Sequence, residues 1–149
     1  MTKHGTVLLI GDDANEVLLI KKAFVEAEVP TPLHTVNSFK DAIAYFIGEG
    51  VYANRTAYPI PFLVLLDLKM SGEEGFAVLR WLYDRPGLRK KFTVIVTSPA
   101  GPEQDIQLAY ELGAQSYLVK PAGYAQWVSA VRRVKDYWIG INLLPEDVL

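Results

Sequence analysis

The chain has no cysteine, so it can form no disulfide, no thiolate nucleophile and no cysteine-ligated metal site. It also lacks an excess of positive charge, because 15 Lys and Arg residues stand against 17 Asp and Glu residues, for a formal charge of −2. A nucleic-acid or anionic-lipid partner is therefore not expected. No apolar run approaches the roughly 20 residues that cross a membrane, and the N-terminal apolar run is too short for a signal peptide. These absences predict a cytoplasmic protein.

The composition that remains is typical of a globular protein. Half of the 149 residues are apolar and 21% are charged. A chain of this length buries about 70% of the surface that its unfolded form exposes, which is enough for one core. We expect a single domain over residues 1–149, with its core at about residues 5–136 and a C-terminal helix extension and tail at about 137–149.

Short apolar runs alternate with longer stretches of helical period, which is the pattern of a parallel sheet covered by helices on both faces. The predicted strands are residues 6–10, 32–36, 62–66, 93–97 and 116–119. The predicted helices are residues 15–26, 38–47, 75–83, 103–112 and 124–138. Five strands and five helices in alternation predict a doubly wound α/β domain, whose ligands bind beyond the carboxyl ends of the strands. Residues 48–61 are predicted to form a surface loop.

Polar side chains stand at four of these strand ends. They are Asp12 and Asp13 after the first strand, Asp67 after the third, Thr97 and Ser98 after the fourth, and Lys120 after the fifth. A carboxylate that closes an apolar strand is costly unless cations or hydrogen-bond donors meet it. Lys120 and Mg²⁺ are suitable partners, since Mg²⁺ binds through one or two carboxylates together with phosphate oxygens and waters. The set predicts that Asp67 acts as a nucleophile toward a phosphoryl group.

Four segments carry these residues: VLLIGDDANEVLLI (7–20), FLVLLDLKMSGEEGFAVL (62–79), VIVTS (94–98) and YELGAQSYLVKPA (110–122). Together they make the chain resemble bacterial response regulator receiver domains over nearly its whole length. The resemblance implies a flavodoxin-like five-stranded parallel sheet in the order 2-1-3-4-5. It also implies a signalling protein that is phosphorylated by a sensor histidine kinase and assists only its own phosphoryl transfer and dephosphorylation.

By the same resemblance, Asp67 is the phosphoacceptor and Lys120 binds the phosphoryl group. Thr97 is the switch hydroxyl, with Ser98 as second choice, and Tyr117 is the aromatic residue that turns with it. Packing alone is an equally good explanation of an aromatic in a strand. The resemblance also implies three Mg²⁺ ligands: Asp12, Asp67 and the backbone carbonyl of Lys69, whose side chain is expected to matter little.

One departure from the family pattern weakens the expected metal site. Receivers place two adjacent acids after the first strand, and the ungapped match puts Gly11 at the first of them. Asp13 is a weak substitute ligand, and capping of the following helix explains it equally well. We therefore expect weak Mg²⁺ binding. Ser71 is a second departure, because it stands where a proline often follows the phosphoacceptor loop.

The C-terminal end is more apolar than a solvent-facing helix should be. Trp127, Trp138, Ile141 and Leu143 predict the interface of a homodimer. An aromatic-rich helix followed by Asn-Leu-Leu-Pro resembles the single-domain receivers associated with phytochromes, which implies a bacteriophytochrome as the partner kinase. His4 and His34 have no ligand-like spacing and are interpreted as surface residues.

Two alternative functions stay open. A degenerate receiver would dimerise or bind partners without phosphorylation, and Gly11 favours it. The second alternative, a flavin-binding protein of flavodoxin topology, has less support. Such a protein has a hydroxyl- and glycine-rich phosphate-binding loop after the first strand, whereas Asp12 and Asp13 at this position would repel a flavin phosphate.

Overall fold

The structure is a computed structural model that describes residues 5–145. Five parallel strands form one sheet in the order β2-β1-β3-β4-β5, which confirms the expected topology. The strands are β1 (Val7–Ile10), β2 (Leu33–Val36), β3 (Leu63–Asp67), β4 (Thr93–Ser98) and β5 (Ser116–Val119). His4 and residues 146–149, the end of the predicted tail, lie outside the described residues.

The described residues form six α-helices, one more than expected; five of them connect strands and the sixth follows β5. They are α1 (Ala14–Glu26), α2 (Phe39–Ile47), α3 (Glu74–Tyr83), α4 (Pro86–Arg89), α5 (Glu103–Glu111) and α6 (Tyr124–Val134). The additional helix α4 is a single turn with proline in its first position, where the missing N–H costs nothing. Its four residues are too few to show a helical period.

The predicted last helix, 124–138, ends differently from the prediction. A π-helical segment, Lys135–Ile139, continues α6 and is closed by a 2.9 Å hydrogen bond from Gly140 N to the Lys135 carbonyl. Lys135 Nζ also donates to the Ala27 carbonyl at 3.0 Å, just past the end of α1. This wider winding rotates the last turn, so that Trp138 packs against the side of the sheet that α1 and α6 cover.

The core consists of two layers, one on each face of the sheet. Every residue of β1, β3 and β4 is buried, as expected for central strands of a parallel sheet. Alternate residues face opposite sides, so Leu9 and Leu65 pack toward α1 and α6 whereas Leu8 and Leu66 pack toward α2 and α3. Because side chains alternate along each strand, the position of a residue in the strand determines which of the two layers its side chain faces, including at the strand end.

The segment from residue 48 to 61 is partly ordered against the core. It contains a 3₁₀ turn, Gly50–Ala53, and Arg55 donates to the last carbonyls of α2 at Tyr45 and Phe46. This caps α2 from outside the helix. Within residues 5–145, the helices are all too short or too polar to span a bilayer.

Candidate phosphoacceptor site

Asp67 is the last residue of β3 and lies at the centre of the carboxyl edge of the sheet. It is only 3% exposed, and both of its carboxylate oxygens accept hydrogen bonds. Lys69 N donates to Oδ1 at 3.0 Å, and Lys120 Nζ donates to Oδ2 at 3.0 Å. These donors allow a carboxylate to remain charged at the rim of an apolar core.

Gly75 is required beside this carboxylate. A Cβ at position 75 would lie 2.5 Å from the backbone oxygens of both Asp67 and Leu68, so any other residue would displace the loop. The glycine therefore allows α3 to start directly against the end of β3.

Lys120 follows β5 and reaches back across the strand ends to Asp67. Its ammonium group also pairs with Glu16 Oε1 at 2.8 Å, so it lies between two carboxylates. Burial alone would lower the pKa of Lys120, but the hydrogen bonds to Glu16 and Asp67 outweigh it and raise that pKa above the ordinary value. The lysine is therefore a fixed cation at neutral pH.

Glu16 was missed by the sequence interpretation. It stands in the first turn of α1, three residues after the N-cap Asp13, in a position where a glutamate commonly reaches back to the N-cap. Here the side chain instead crosses to Lys120. An acid in a first helical turn has an ordinary explanation in the helix dipole, so no sequence signal places Glu16 in the site.

Asp12 lies at the exposed edge of the same region and is bound by Ser71. The N–H and the hydroxyl of Ser71 both donate to Asp12 Oδ2 at 2.9 Å. The backbone bond, followed by the hydroxyl bond, lowers the pKa of Asp12 below its ordinary value. A proline at position 71 could make neither bond, so this departure from the family pattern fixes the loop to Asp12 in a way that proline cannot.

Asp13 is a helix cap and not a ligand in this arrangement. Its Oδ1 accepts from Asn15 N at 3.0 Å and from Glu16 N at 3.2 Å at the start of α1. The proposed substitute role in metal binding is therefore corrected, because the carboxylate satisfies the free amides of the helix.

Gly11 leaves space next to the Asp67 side chain. A Cβ built at this position would lie 3.6 Å from Asp67 Cβ and 3.9 Å from Asp67 Oδ2, both ordinary contact distances. An acid here would thus face Asp67, as the alignment with the family pattern requires. The chain thus lacks one carboxylate beside Asp67, while the loop that would carry it has the expected position.

Thr97 and Ser98 lie on opposite faces of β4. Thr97 is in register with Asp67 across the β3–β4 pair, and Leu68 N donates to its carbonyl at 2.9 Å. In-register neighbours share a face, so the Thr97 side chain stands beside Asp67 and that of Ser98 faces the other layer. This geometry favours Thr97 over Ser98 as the switch hydroxyl.

Tyr117 packs into the layer that Ser98 faces. Its ring contacts the α2/α3 side of the core, and its hydroxyl is buried without a hydrogen-bond partner in the described part of the chain. The Ser98 hydroxyl is likewise buried and unpaired there. Both groups have unmet hydrogen-bonding capacity, which a rearrangement of β4 and β5 could satisfy.

The side chain of Lys69 has a partner, contrary to the expectation that it matters little. Lys69 Nζ pairs with Asp105 Oδ2 at 2.5 Å, and this hydrogen bond raises the pKa of the lysine. The pair joins the loop after Asp67 to the first turn of α5. The lysine is largely exposed, so the pair contributes little to stability.

The residues expected at a dimer interface separate into two groups. Trp127 is 4% exposed and packs among α1, α6 and the sheet, so it belongs to the core and its assignment to the interface is corrected. Ile141 and Leu143 are 67% and 55% exposed, and Trp138 is partly buried. Helical spacing puts Trp127, Trp138 and Ile141 on one stripe, but it does not show which part of that stripe faces α1.

His34 is also placed differently from the expectation. It lies on β2, and its Nδ1 is 2.8 Å from the Tyr45 hydroxyl, while its ring packs edge-on against Tyr58. Burial lowers the pKa of His34. It is thus a half-buried member of an aromatic cluster on the edge strand of the sheet and not a surface histidine.

The donor set fits Mg²⁺ only in part. Asp67, Asp12 and the Lys69 carbonyl are the hard oxygen donors that Mg²⁺ takes, together with phosphate and water. Within residues 5–145, however, no three acidic, histidine or cysteine side chains cluster closely enough to hold a metal by themselves. Gly11 supplies no carboxylate, so phosphate oxygens and waters have to complete the coordination shell.

A buried carboxylate, a facing lysine and an in-register hydroxyl at the carboxyl edge of a 2-1-3-4-5 sheet define the class of aspartate-based signalling switches. The comparisons with known proteins agree, because the family model for the response regulator receiver domain matches residues 7–132. The chain belongs to the response regulator receiver family. This membership removes the flavin-binding alternative.

Three relatives are informative. The response regulator RPA3017, described in red light signalling of R. palustris, superposes with a TM-score of 0.87 at 32% identity, covering 95% of this chain and 99% of that one. The phosphorylated cyanobacterial phytochrome response regulator RcpA superposes with a TM-score of 0.84 at 31% identity, covering 96% and 99%. Response regulator Rcp1 of Synechocystis is 27% identical over 93% of this chain and 92% of its own length, and one solved structure of Rcp1 is a Mn²⁺-bound form.

Proposed function

We propose that this receiver accepts a phosphoryl group on Asp67 from a sensor histidine kinase and transmits the signal by protein–protein interaction. The observation that carries the proposal is the Lys120–Asp67 pair, 3.0 Å long, with Thr97 in register beside it. A buried acid with a lysine and a hydroxyl around it is suited to a group whose charge must be spread over several donors.

The residues of the chain account for each part of the transfer. One Asp67 oxygen attacks the phosphorus atom, an O–P bond forms, and the P–N bond to the histidine of the kinase breaks. Lys120 then pairs with a phosphoryl oxygen, and the Thr97 hydroxyl donates to another. Lys69 N keeps its hydrogen bond to the carboxylate and fixes its orientation. A bound Mg²⁺, held by Asp12, Asp67 and the Lys69 carbonyl, would neutralise charge on the phosphoryl oxygens.

Two relatives suggest the identity of the partner. RcpA is named as a phytochrome response regulator and RPA3017 is described in red light signalling, so a bacteriophytochrome is the kinase that we propose. Output would pass through a homodimer that uses the exposed apolar end of the chain, where Ile141 and Leu143 project beyond the π-helical segment. Sedimentation of the full chain should therefore give a mass of two protomers.

Intact mass spectrometry tests the phosphoacceptor. The chain is incubated with acetyl phosphate and Mg²⁺, and a single adduct of about 80 Da, one phosphoryl group, should form. Asp67→Asn should form none, whereas Asp84→Asn, an exposed acid at the end of α3, should behave as the wild type. An adduct that survives Asp67→Asn would place the reaction elsewhere.

Gly11 supports a second candidate, a receiver that works without phosphorylation. With one carboxylate missing next to Asp67, the metal needed for transfer binds weakly, and the apolar end could still dimerise. Titration with beryllofluoride and Mg²⁺ separates the candidates. Saturable binding that is lost in Asp67→Asn supports the switch, and no binding together with a constant dimer supports the alternative.

A further inference from the structure

Glu16 occupies a place in the site that neither the family pattern nor the sequence interpretation assigned to it. Its carboxylate is 2.8 Å from Lys120 Nζ, and the side chains of Glu16 and Lys120 are 23% and 16% exposed. The pair is therefore mostly shielded from water, unlike a surface ion pair. It also joins α1 directly to the segment after β5, two parts of the chain separated by about a hundred residues.

Lys120 contacts two carboxylates, and phosphorylation of Asp67 would change only one of these contacts. A lysine ammonium has three donors, of which one is directed to Asp67 and one to Glu16. When Asp67 carries a phosphoryl group, the donor now directed to Asp67 must move to a phosphoryl oxygen. Glu16 takes no part in that exchange, so its hydrogen bond can hold the lysine in place throughout.

A bound divalent cation makes the second anchor more important. Mg²⁺ beside Asp67 repels the lysine and competes for the same carboxylate, so the Asp67 contact alone would not retain Lys120. Gly11 adds no carboxylate here, so Asp67 and Asp12 would be the two acids of the implied metal-binding set. An anchor that lies outside the metal's donor set is then what keeps the lysine within reach.

We propose that Glu16 is a positioning residue that holds Lys120 ready for the phosphoryl group while Asp67 is engaged by metal and donor. The inference rests on the proposed phosphorylation of Asp67. It goes further by assigning a function to an acid on α1 that contacts neither Asp67 nor the phosphoryl donor. Glu16 acts only through Lys120, and this dependence makes the proposal testable.

The test is a double-mutant cycle on the rate of adduct formation from acetyl phosphate at saturating Mg²⁺. Glu16→Gln keeps the shape and removes the charge, and it should slow adduct formation about three- to tenfold, the range for loss of one well-formed, half-buried ion pair. In a Lys120→Ala background, where the rate is already low, Glu16→Gln should have no further effect. Glu111→Gln, an exposed acid on α5, is the matched control and should leave the rate unchanged.

A spectroscopic readout keeps the test independent of the rate. The ¹³Cε resonance of Lys120 reports its titration, and the pKa of Lys120 should fall in Glu16→Gln but not in Glu111→Gln. Glu16→Asp, which is one methylene shorter, should restore part of the rate if charge near Lys120 is what matters. The Mg²⁺ affinity measured by calorimetry should change by less than about twofold, because Glu16 is not placed among the ligands.

The outcomes separate this inference from the proposed function. If the wild type forms no adduct, the proposed phosphorylation fails and the inference fails with it. If the wild type is phosphorylated and Glu16→Gln reacts equally fast, only the positioning role is overturned. A rate loss of the same size in the Lys120→Ala background would show that Glu16 acts without the lysine, which also overturns the proposal.

Discussion

Replacing Gly11 with aspartate should tighten Mg²⁺ binding and destabilise the metal-free protein at the same time. The new Cβ would lie 3.9 Å from Asp67 Oδ2 without a clash, so the added carboxylate faces the existing one. The new carboxylate lies one bond beyond that Cβ, and two unit charges about 4–6 Å apart repel by about 3–4 kcal/mol at an effective dielectric near 20. Lys120 and nearby solvent screen much of this repulsion, so we expect the free energy of unfolding without metal to fall by about 1–2 kcal/mol.

A divalent cation between the two carboxylates reverses the sign of that effect. We expect Gly11→Asp to bind Mg²⁺ about ten- to a hundredfold more tightly than the wild type, which corresponds to about 1.4–2.7 kcal/mol. Isothermal titration calorimetry gives the affinity, and thermal unfolding with and without Mg²⁺ gives the stability of both forms. Magnesium should raise the melting temperature of Gly11→Asp by more than that of the wild type.

Gly11→Asn is the matched control, since it adds the same volume without the charge. It should leave the Mg²⁺ affinity close to that of the wild type. An equal gain in Asn and Asp would show that the loop conformation, and not the missing carboxylate, limits metal binding. Unchanged affinity in Gly11→Asp would refute the electrostatic argument altogether.

Three further predictions follow from the rest of the structure. Ser71→Pro removes both hydrogen bonds to Asp12, so the pKa of Asp12 should rise toward its ordinary value, measured by NMR titration; an unchanged pKa would contradict the assignment. Burial lowers the pKa of His34, so the free energy of unfolding should decrease as the pH falls below about 6.5. Denaturant unfolding at pH 7.5 and 5.5 measures this decrease. The variant His34→Gln should lack the part of the decrease that His34 causes. Trp127→Ala should lower the free energy of unfolding by about 3–5 kcal/mol, because Trp127 is buried in the core. Ile141→Asp should weaken self-association in sedimentation with little loss of stability. If Trp127→Ala weakened self-association and Ile141→Asp lowered stability, Trp127 would belong to the interface.

The sheet could be predicted closely because its central strands are continuous in Val, Ile and Leu. Both bounds of β5, the ends of β1 and β2 and the start of β4 agree with the prediction, and the other five strand bounds differ by one residue. The extra helix α4 was missed because one turn has no measurable period. The end of α6 was missed because a π-helical segment of five residues is too short to show a spacing of its own.

The candidate phosphoacceptor site was only partly predictable, because some of its contacts are made by long side chains from other parts of the chain. Asp67 and Lys120 were found because the carboxyl ends of parallel strands meet at one edge, a rule that follows from topology alone. Glu16 and Ser71 enter the site from a helix and from a loop, at distances set by rotamers. Sequence spacing does not encode such contacts, so the ion pair of Lys120 with Glu16 and the hydrogen bonds from Ser71 to Asp12 were found only in the structure.

The sequence interpretation names Thr97 as the switch hydroxyl and Ser98 as second choice, and the strand pairing distinguishes the positions of these two side chains. The β3–β4 register pairs Asp67 with Thr97, and alternation then sends Ser98 to the layer that contains Tyr117. Each hydroxyl consequently faces a different part of the molecule. Thr97 borders Asp67. Within residues 5–145 the Ser98 and Tyr117 hydroxyls have no hydrogen-bond partner, and Ser98 would move with Thr97 because it is the next residue of β4.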